Sequence, residues 1–186
     1  MKCQLKPNID LVLERFEAFW DNKIIDRPMY SIVLWKDPSK RIPLTYPDYH
    51  GNWEERWLDI EFRVKEAYIN LQNQEFYGDA IPFICPGMGT DILAASTNCG
   101  YKFDGITGWS THDLDDWAKE TQYYFDKTNK YYQAQMTFVK RLIEEGKGKF
   151  IVGHPDYHPT GDQLASTRGT QNALMDLVLY PEQVQA

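Results

Sequence analysis

Three side chains able to move protons or hold metals and anions, His154, Asp156 and His158, fall within five residues just after Gly153 and among Pro155 and Pro159. Histidine exchanges a proton near neutral pH, and a neighbouring carboxylate orients its ring for that work. The HPDYH spacing also suits two imidazoles on one metal ion. The segment is at least one ligand short, however, and no His or Cys stands close in sequence, so no metal site is assigned. The third alternative is structural, with these groups hydrogen-bonding a loop that the prolines shape.

Such a segment needs a scaffold. Upstream, Lys149 to Val152 holds a short apolar run that reads as a buried strand. Downstream, Gly161 and Asp162 open a helix, and Ala173, Leu174, Leu177 and Val178 mark one face of the helix that stops before Tyr180 and Pro181. Strand, loop and helix form one α/β unit, which places the chemistry at the carboxyl end of the strand.

The rest of the chain repeats that pattern. Leu11, Val12, Phe16, Phe19 and Trp20 recur at helical spacing from Asp10 to Trp20. Met29 to Trp35 is apolar enough for a first buried parallel strand, and loop residues follow as far as Gly51. Trp53 to Gln74 keeps helical steps through Trp57, Ile60, Val64, Tyr68 and Leu71. Ala80 to Cys85 reads as the second strand, followed by a turn and a short helix through Ile92, Leu93 and Ala94. Asn98 to Asp116 has no period and predicts loops or an antiparallel excursion. From Trp117 to Glu145 the spacing predicts helix with a break near Thr128, buried along Tyr132, Met136, Val139 and Leu142. Strands alternating with longer helices favour parallel pairing and right-handed crossovers.

At 186 residues the chain suffices for a single domain spanning 1–186 with a proper core. A net charge of -7 argues against nucleic acid or an anionic membrane as partner. No apolar run approaches the roughly 18 residues needed to span a bilayer. Cys3, Cys85 and Cys99 form no CxxC pair and no disulfide framework, which makes a reducing cytoplasm the expected location. At 15% aromatic, the chain predicts aromatic-lined surfaces or an aromatic core.

In combination, Tyr77-Gly78-Asp79-Ala80-Ile81-Pro82, Gly89-Thr90-Asp91-Ile92-Leu93-Ala94-Ala95 and Asn98-Cys99-Gly100-Tyr101-Lys102-Phe103 resemble the amino-terminal region of the uroporphyrinogen decarboxylase superfamily. The stretch from Gly153 to Ala165, with Arg168-Gly169 and Asp176-Leu177, is similar to the third-strand region of its decarboxylase-like branch. The resemblance implies a partial (β/α)8 TIM barrel of about three β/α units behind an N-terminal helix, the front portion of a longer chain. It implies one of two chemistries: a carboxy-lyase acting on a tetrapyrrole without a cofactor, or a methyl transfer that uses zinc and a corrinoid protein. A barrel that keeps only the fold and binds without catalysis is the remaining alternative. Two departures stand out. Lys36-Asp37-Pro38-Ser39-Lys40 replaces the decarboxylases' Arg-Gln-Ala-Gly-Arg, and Pro86 falls where their catalytic aspartate sits.

Within that reading His154, Asp156 and His158 are the catalytic candidates. Trp35 and Cys85, at the ends of the first two strands, are expected to face the same mouth and bind substrate. Arg168 either receives a substrate carboxylate bidentately or pairs with Asp162 to hold the loop. Asp91 is expected to cap its short helix, and His50 and His112 to be solvated loop residues.

Overall fold

The computed structural model describes residues 3–185. In chain order its elements are α1 (Ile9–Trp20), β1 (Ser31–Trp35), a 3-10 turn (Pro38–Lys40), α2 (Trp53–Leu58), α3 (Ile60–Gln72), β2 (Gln74–Gly78), β3 (Phe83–Ile84), α4 (Ile92–Ala95), β4 (Tyr101–Phe103), β5 (Gly108–Ser110), a second 3-10 turn (Trp117–Gln122), α5 (Lys130–Gly146), β6 (Ile151–Val152), α6 (Gly161–Arg168), α7 (Thr170–Leu179) and α8 (Pro181–Gln185). The fold is mixed α/β, and the strands of the described residues pair two by two. None of its helices is long and apolar enough to cross a membrane among the described residues.

The chain divides into two compact units. The first comprises the chain up to Pro47, Ile60–Pro86 and Phe138–His154. Its core packs Val64 and Leu71 of α3, Ile84 of β3, Phe138 and Leu142 of α5, and Phe150. Here β3 and β6 run parallel, with Phe83 beside Ile151 and Ile84 beside Val152. That pairing agrees with the expected strand order. The first strand does not: β1 pairs antiparallel with β2, from Ser31 opposite Gly78 to Trp35 opposite Gln74. The single helix expected from Trp53 to Gln74 is broken at Asp59 into α2 and α3 and ends at Gln72, so that Gln74 opens β2. In the fold, Gln74, Phe76 and Gly78 turn inward while Glu75 and Tyr77 face out, the period of a strand. Nor is β1 buried, since Ile32, Val33, Leu34 and Trp35 are each about half exposed, from 47% to 54%.

A buried ionic cluster organises the same unit. Asp79, wholly excluded from solvent, accepts from Arg15 at 3.1 Å, from both terminal nitrogens of Arg27 at 2.7 and 3.0 Å, and from the Tyr30 N–H at 3.1 Å. Arg15 also grips Asp26 through two nitrogens. Lys6 donates to the carbonyls of Phe76 and Gly78. Gly78, at φ 60, lies so close to Tyr30 that a Cβ would meet its ring at 2.3 Å. Only glycine allows this approach.

The second unit comprises Asp48–Asp59, Gly87–Thr137 and the chain from Pro155 on. Met88, Ile92, Ala95, Tyr101 and Tyr131 form its core. The irregular stretch proves to be an antiparallel hairpin, β4 with β5, whose turn is closed by Asp104 accepting from the N–H groups of Ile106 and Thr107. Asn52 caps α2 by accepting from the Glu55 N–H at 3.1 Å. Trp57 and Arg56 then tie α2 to the hairpin by donating to the carbonyls of Asp104 and Gly105. Of the expected apolar face on α7, Ala173 is buried while Leu174, Leu177 and Val178 are exposed, Val178 by 80%.

Burial opposes the charge of Asp79, but Arg27, the Tyr30 N–H and Arg15 favour it more strongly and hold the carboxyl below its ordinary value. A group depressed in the folded state stabilises fully above its unfolded value, and the contribution is lost as pH falls through the folded value. Asp79→Asn should therefore cost about 3–5 kcal/mol at neutral pH, as for other broken buried pairs. It should also flatten the loss of stability below about pH 4. Urea denaturation across that range checks both.

Candidate active site

The second unit holds an open cleft of about 210 Å³ lined by Thr90, Asp91, His112, His158, Asp162, Ala165, Ser166 and Thr170. Its floor is built around Asp91. That residue stands at the start of α4 but makes no side-chain cap there, contrary to the expectation from its position. Instead one carboxylate oxygen accepts from the Ser110 N–H at 3.1 Å, with the Ser110 hydroxyl at the same distance, and the other accepts from the Ser166 hydroxyl at 2.9 Å. One carboxylate thus joins the start of α4, the end of β5 and the body of α6. Carboxylates that accept several such bonds are held firmly in place.

His112, expected to be a solvated loop residue without a partner, is exposed as expected, but it lines this cleft and has partners there. Its Nδ1 is 2.8 Å from the Ser166 carbonyl oxygen and 3.4 Å from the Ser110 hydroxyl. The turn that carries it is clamped on both sides. The Thr111 N–H donates to the Gly100 carbonyl at 2.8 Å, and Asp113 accepts from the Gly100 N–H at 2.7 Å. Between those anchors His112 takes φ 58, a left-handed backbone that non-glycine residues seldom adopt. Thr160, just before α6, is also left-handed at φ 59 with ψ -118. Strain of this kind concentrates at sites where geometry serves function.

His158 and Asp156 come together as the spacing suggested, with Nε2 3.3 Å from the carboxylate. Asp162 approaches the other ring nitrogen, at 3.9 Å. His158 therefore has a carboxylate near each nitrogen and borders the cleft, an arrangement suited to delivering or accepting a proton. Tyr157 between them packs against the core of this unit, and burial pushes its phenol up.

The other candidates lie elsewhere. His154 ends the first unit, where its carbonyl accepts from the exposed Cys85 thiol at 3.1 Å. Cys85 directly follows β3 and His154 lies two residues beyond β6, so two of the three expected strand ends do meet. Trp35 ends β1 in a separate ribbon, exposed, with the Arg41 guanidinium 5.5 Å from its ring centre. Arg168 is buried and its guanidinium is occupied. It donates to Asp176 at 2.6 and 3.3 Å and to the carbonyls of Leu114 and Asp115 at 3.0 and 2.7 Å. Its ion-pair partner is thus Asp176 rather than Asp162, because α7, which starts afresh after Gly169, brings Asp176 onto it about two turns along.

Sequence reasoning missed His112, Ser110 and Ser166. No periodicity marks them, and the hairpin that presents two of them falls in the stretch without a pattern. The zinc that the methyltransferase side of the resemblance implies would need a donor set. No group of three or more His, Cys, Asp or Glu side chains able to hold a metal occurs among the described residues.

No family model, no curated protein and no solved structure matches this chain. The site's own geometry must therefore carry the functional argument. Replacing Asp91 with Ala should leave the Ser110 and Ser166 donors unpaired and lower stability by about 1–3 kcal/mol. Thermal and urea melts would register the loss, together with faster amide exchange at Ser110.

Proposed function

We propose that this chain supplies the proton-transfer site of a uroporphyrinogen decarboxylase-like carboxy-lyase, with a tetrapyrrole bearing carboxylate side chains as substrate. The observation that carries the reading is the convergence of His112, His158 and Asp162 on one cleft, with Asp156 behind His158. In such a reaction the bond from a side-chain carbon to its carboxylate breaks and CO2 leaves. The bonding pair stays with the ring system, and a proton takes the place of the lost carboxylate. His158 is the group assigned to deliver that proton, with Asp156 orienting its ring.

Two features of the cleft suit this chemistry. No Lys or Arg belongs to its described lining, and Asp162 lies within it, so a carboxylate entering meets negative charge that its conversion to neutral CO2 relieves. At about 210 Å³ the space admits one ring edge or side chain of a macrocycle and leaves the remainder outside. The partial (β/α)8 barrel belongs to the same proposal. The parallel β3–β6 pair supports it, as does the apolar surface on β1 and α7, which further β/α units would cover. The antiparallel β1–β2 ribbon is a departure from the standard barrel, and within this reading it is an addition to the barrel's rim.

The test is CO2 release from an acetate-bearing tetrapyrrole, followed by mass spectrometry in the protein expressed from its natural gene. His158→Ala should lower turnover about 10²–10⁴-fold, the usual worth of a positioned acid or base. Asp156→Asn should lower it less, with substrate binding retained. Undiminished turnover in His158→Ala would remove the proposed acid, and no decarboxylation by the unmodified protein would remove the reaction.

A further inference from the structure

The end of α6 leaves a set of backbone acceptors whose partners can be followed one by one. A helix cannot satisfy its last four carbonyls internally. In α6 these belong to Ala165, Ser166, Thr167 and Arg168. The Gly169 N–H takes the first at 2.8 Å, the Leu114 N–H takes the third at 3.1 Å, and the Asn172 side-chain amide takes the fourth at 3.3 Å. The second, on Ser166, is left for side chains. His112 Nδ1 reaches it at 2.8 Å, and the Ser110 hydroxyl lies within hydrogen-bond distance of both it and Asp91, with one hydrogen to give.

A carbonyl oxygen only accepts, so Nδ1 of His112 carries a hydrogen. The second neighbour of Nδ1 agrees. With its own hydrogen directed to the Ser166 carbonyl or to Asp91, Ser110 can offer Nδ1 only an oxygen lone pair. Neutral His112 is thereby held in the Nδ1–H tautomer, with its lone pair on Nε2. Whatever the protonation state, Nδ1–H stays committed to the helix end, and Nε2 is the nitrogen that gains and loses a proton.

We propose that His112 is the cleft's proton acceptor, acting through Nε2, with the Ser166 carbonyl and the Ser110 hydroxyl as the positioning groups that fix its tautomer. In the reaction proposed above, on which this role rests, a ring carbon takes a proton from solvent before CO2 leaves, and that ring C–H bond breaks once His158 has protonated the side-chain carbon. Its electron pair returns to the ring, and the proton moves to Nε2. His158, also in the lining, supplies the proton that enters at the side-chain carbon. The two imidazoles then divide donor and acceptor duties, and the division is set by what each ring nitrogen faces. His158 has carboxylates at both nitrogens, whereas among the described residues His112 has an acceptor at one nitrogen only.

The chain has four histidines, few enough for each ring to be followed by long-range ¹H–¹⁵N correlation. In its neutral form, His112 should show a protonated, pyrrole-type Nδ1 and an unprotonated, pyridine-type Nε2. The opposite tautomer, or rapid averaging of the two, would overturn the proposal. A second arm separates catalysis from architecture through His112→Asn. The asparagine amide can keep the bond to Ser166, and asparagine tolerates φ near 58, but it has no nitrogen that exchanges a proton. It should melt with the parent protein while turnover falls about 10²–10⁴-fold. Full turnover in this variant would make His112 structural only. Should the unmodified protein release no CO2, the decarboxylase reading fails by itself. Diethyl pyrocarbonate then decides the acceptor role: acylation of His112 at Nε2, followed by peptide mass mapping, supports it, and a His112 that resists acylation ends it.

Discussion

The interruption of the helical path at Gly169 is the constraint on which the second unit's site depends. At φ 86 this glycine ends α6 and lets α7 begin immediately in a new direction. An unbroken helix would have used the Ser166 and Thr167 carbonyls internally, and Asp176 would not have reached Arg168. Because the break occurs, the hairpin and the segment after it can dock onto the freed carbonyls. His112 acquires a fixed ring, Leu114 a backbone partner, and Arg168 a buried counter-ion whose bonds keep the Asp176 carboxyl below its usual range.

Both units contain a carboxylate that gathers separate segments. In the first, Asp79 draws together α1, the residues before β1 and the end of β2. In the second, Asp91 draws together α4, β5 and α6. The difference lies in the donors. Asp79 is met chiefly by guanidinium groups and is sealed from water, which makes it a structural centre whose loss exposes several unpaired charges. Asp91 is met by hydroxyls and an amide at the edge of a cleft, which leaves the neighbouring imidazole and carboxylates accessible to a ligand.

Much of this organisation was legible in the residue pattern, and the failures have identifiable causes. The long amphipathic segments appeared where their spacing placed them, and the dyad of Asp156 and His158 formed because two residues of loop suffice to bring them together. β2 was hidden by helix-favouring residues, since a five-residue strand with Gln and Glu carries little periodic signal. The stripe on α5 was displaced by one residue over most of its length, with Tyr131, Gln135 and Phe138 buried rather than Tyr132, Met136 and Val139, while Leu142 is buried as expected. Such a shift comes from which neighbours pack on a helix, a property its own pattern does not contain.

By itself the sequence determined the longer helices, the acidic balance, the strand preceding Gly153 and the proximity of Asp156 to His158, because each depends on residues a few positions apart. The tertiary structure alone decided that β1 turns antiparallel, that Arg168 is engaged by Asp176, and that Asp91, Ser110, His112 and Ser166 belong to one network. Those partners are separated by up to 75 residues. Contacts over such separations follow from where helix ends leave unsatisfied carbonyls and where folding brings other donors to them.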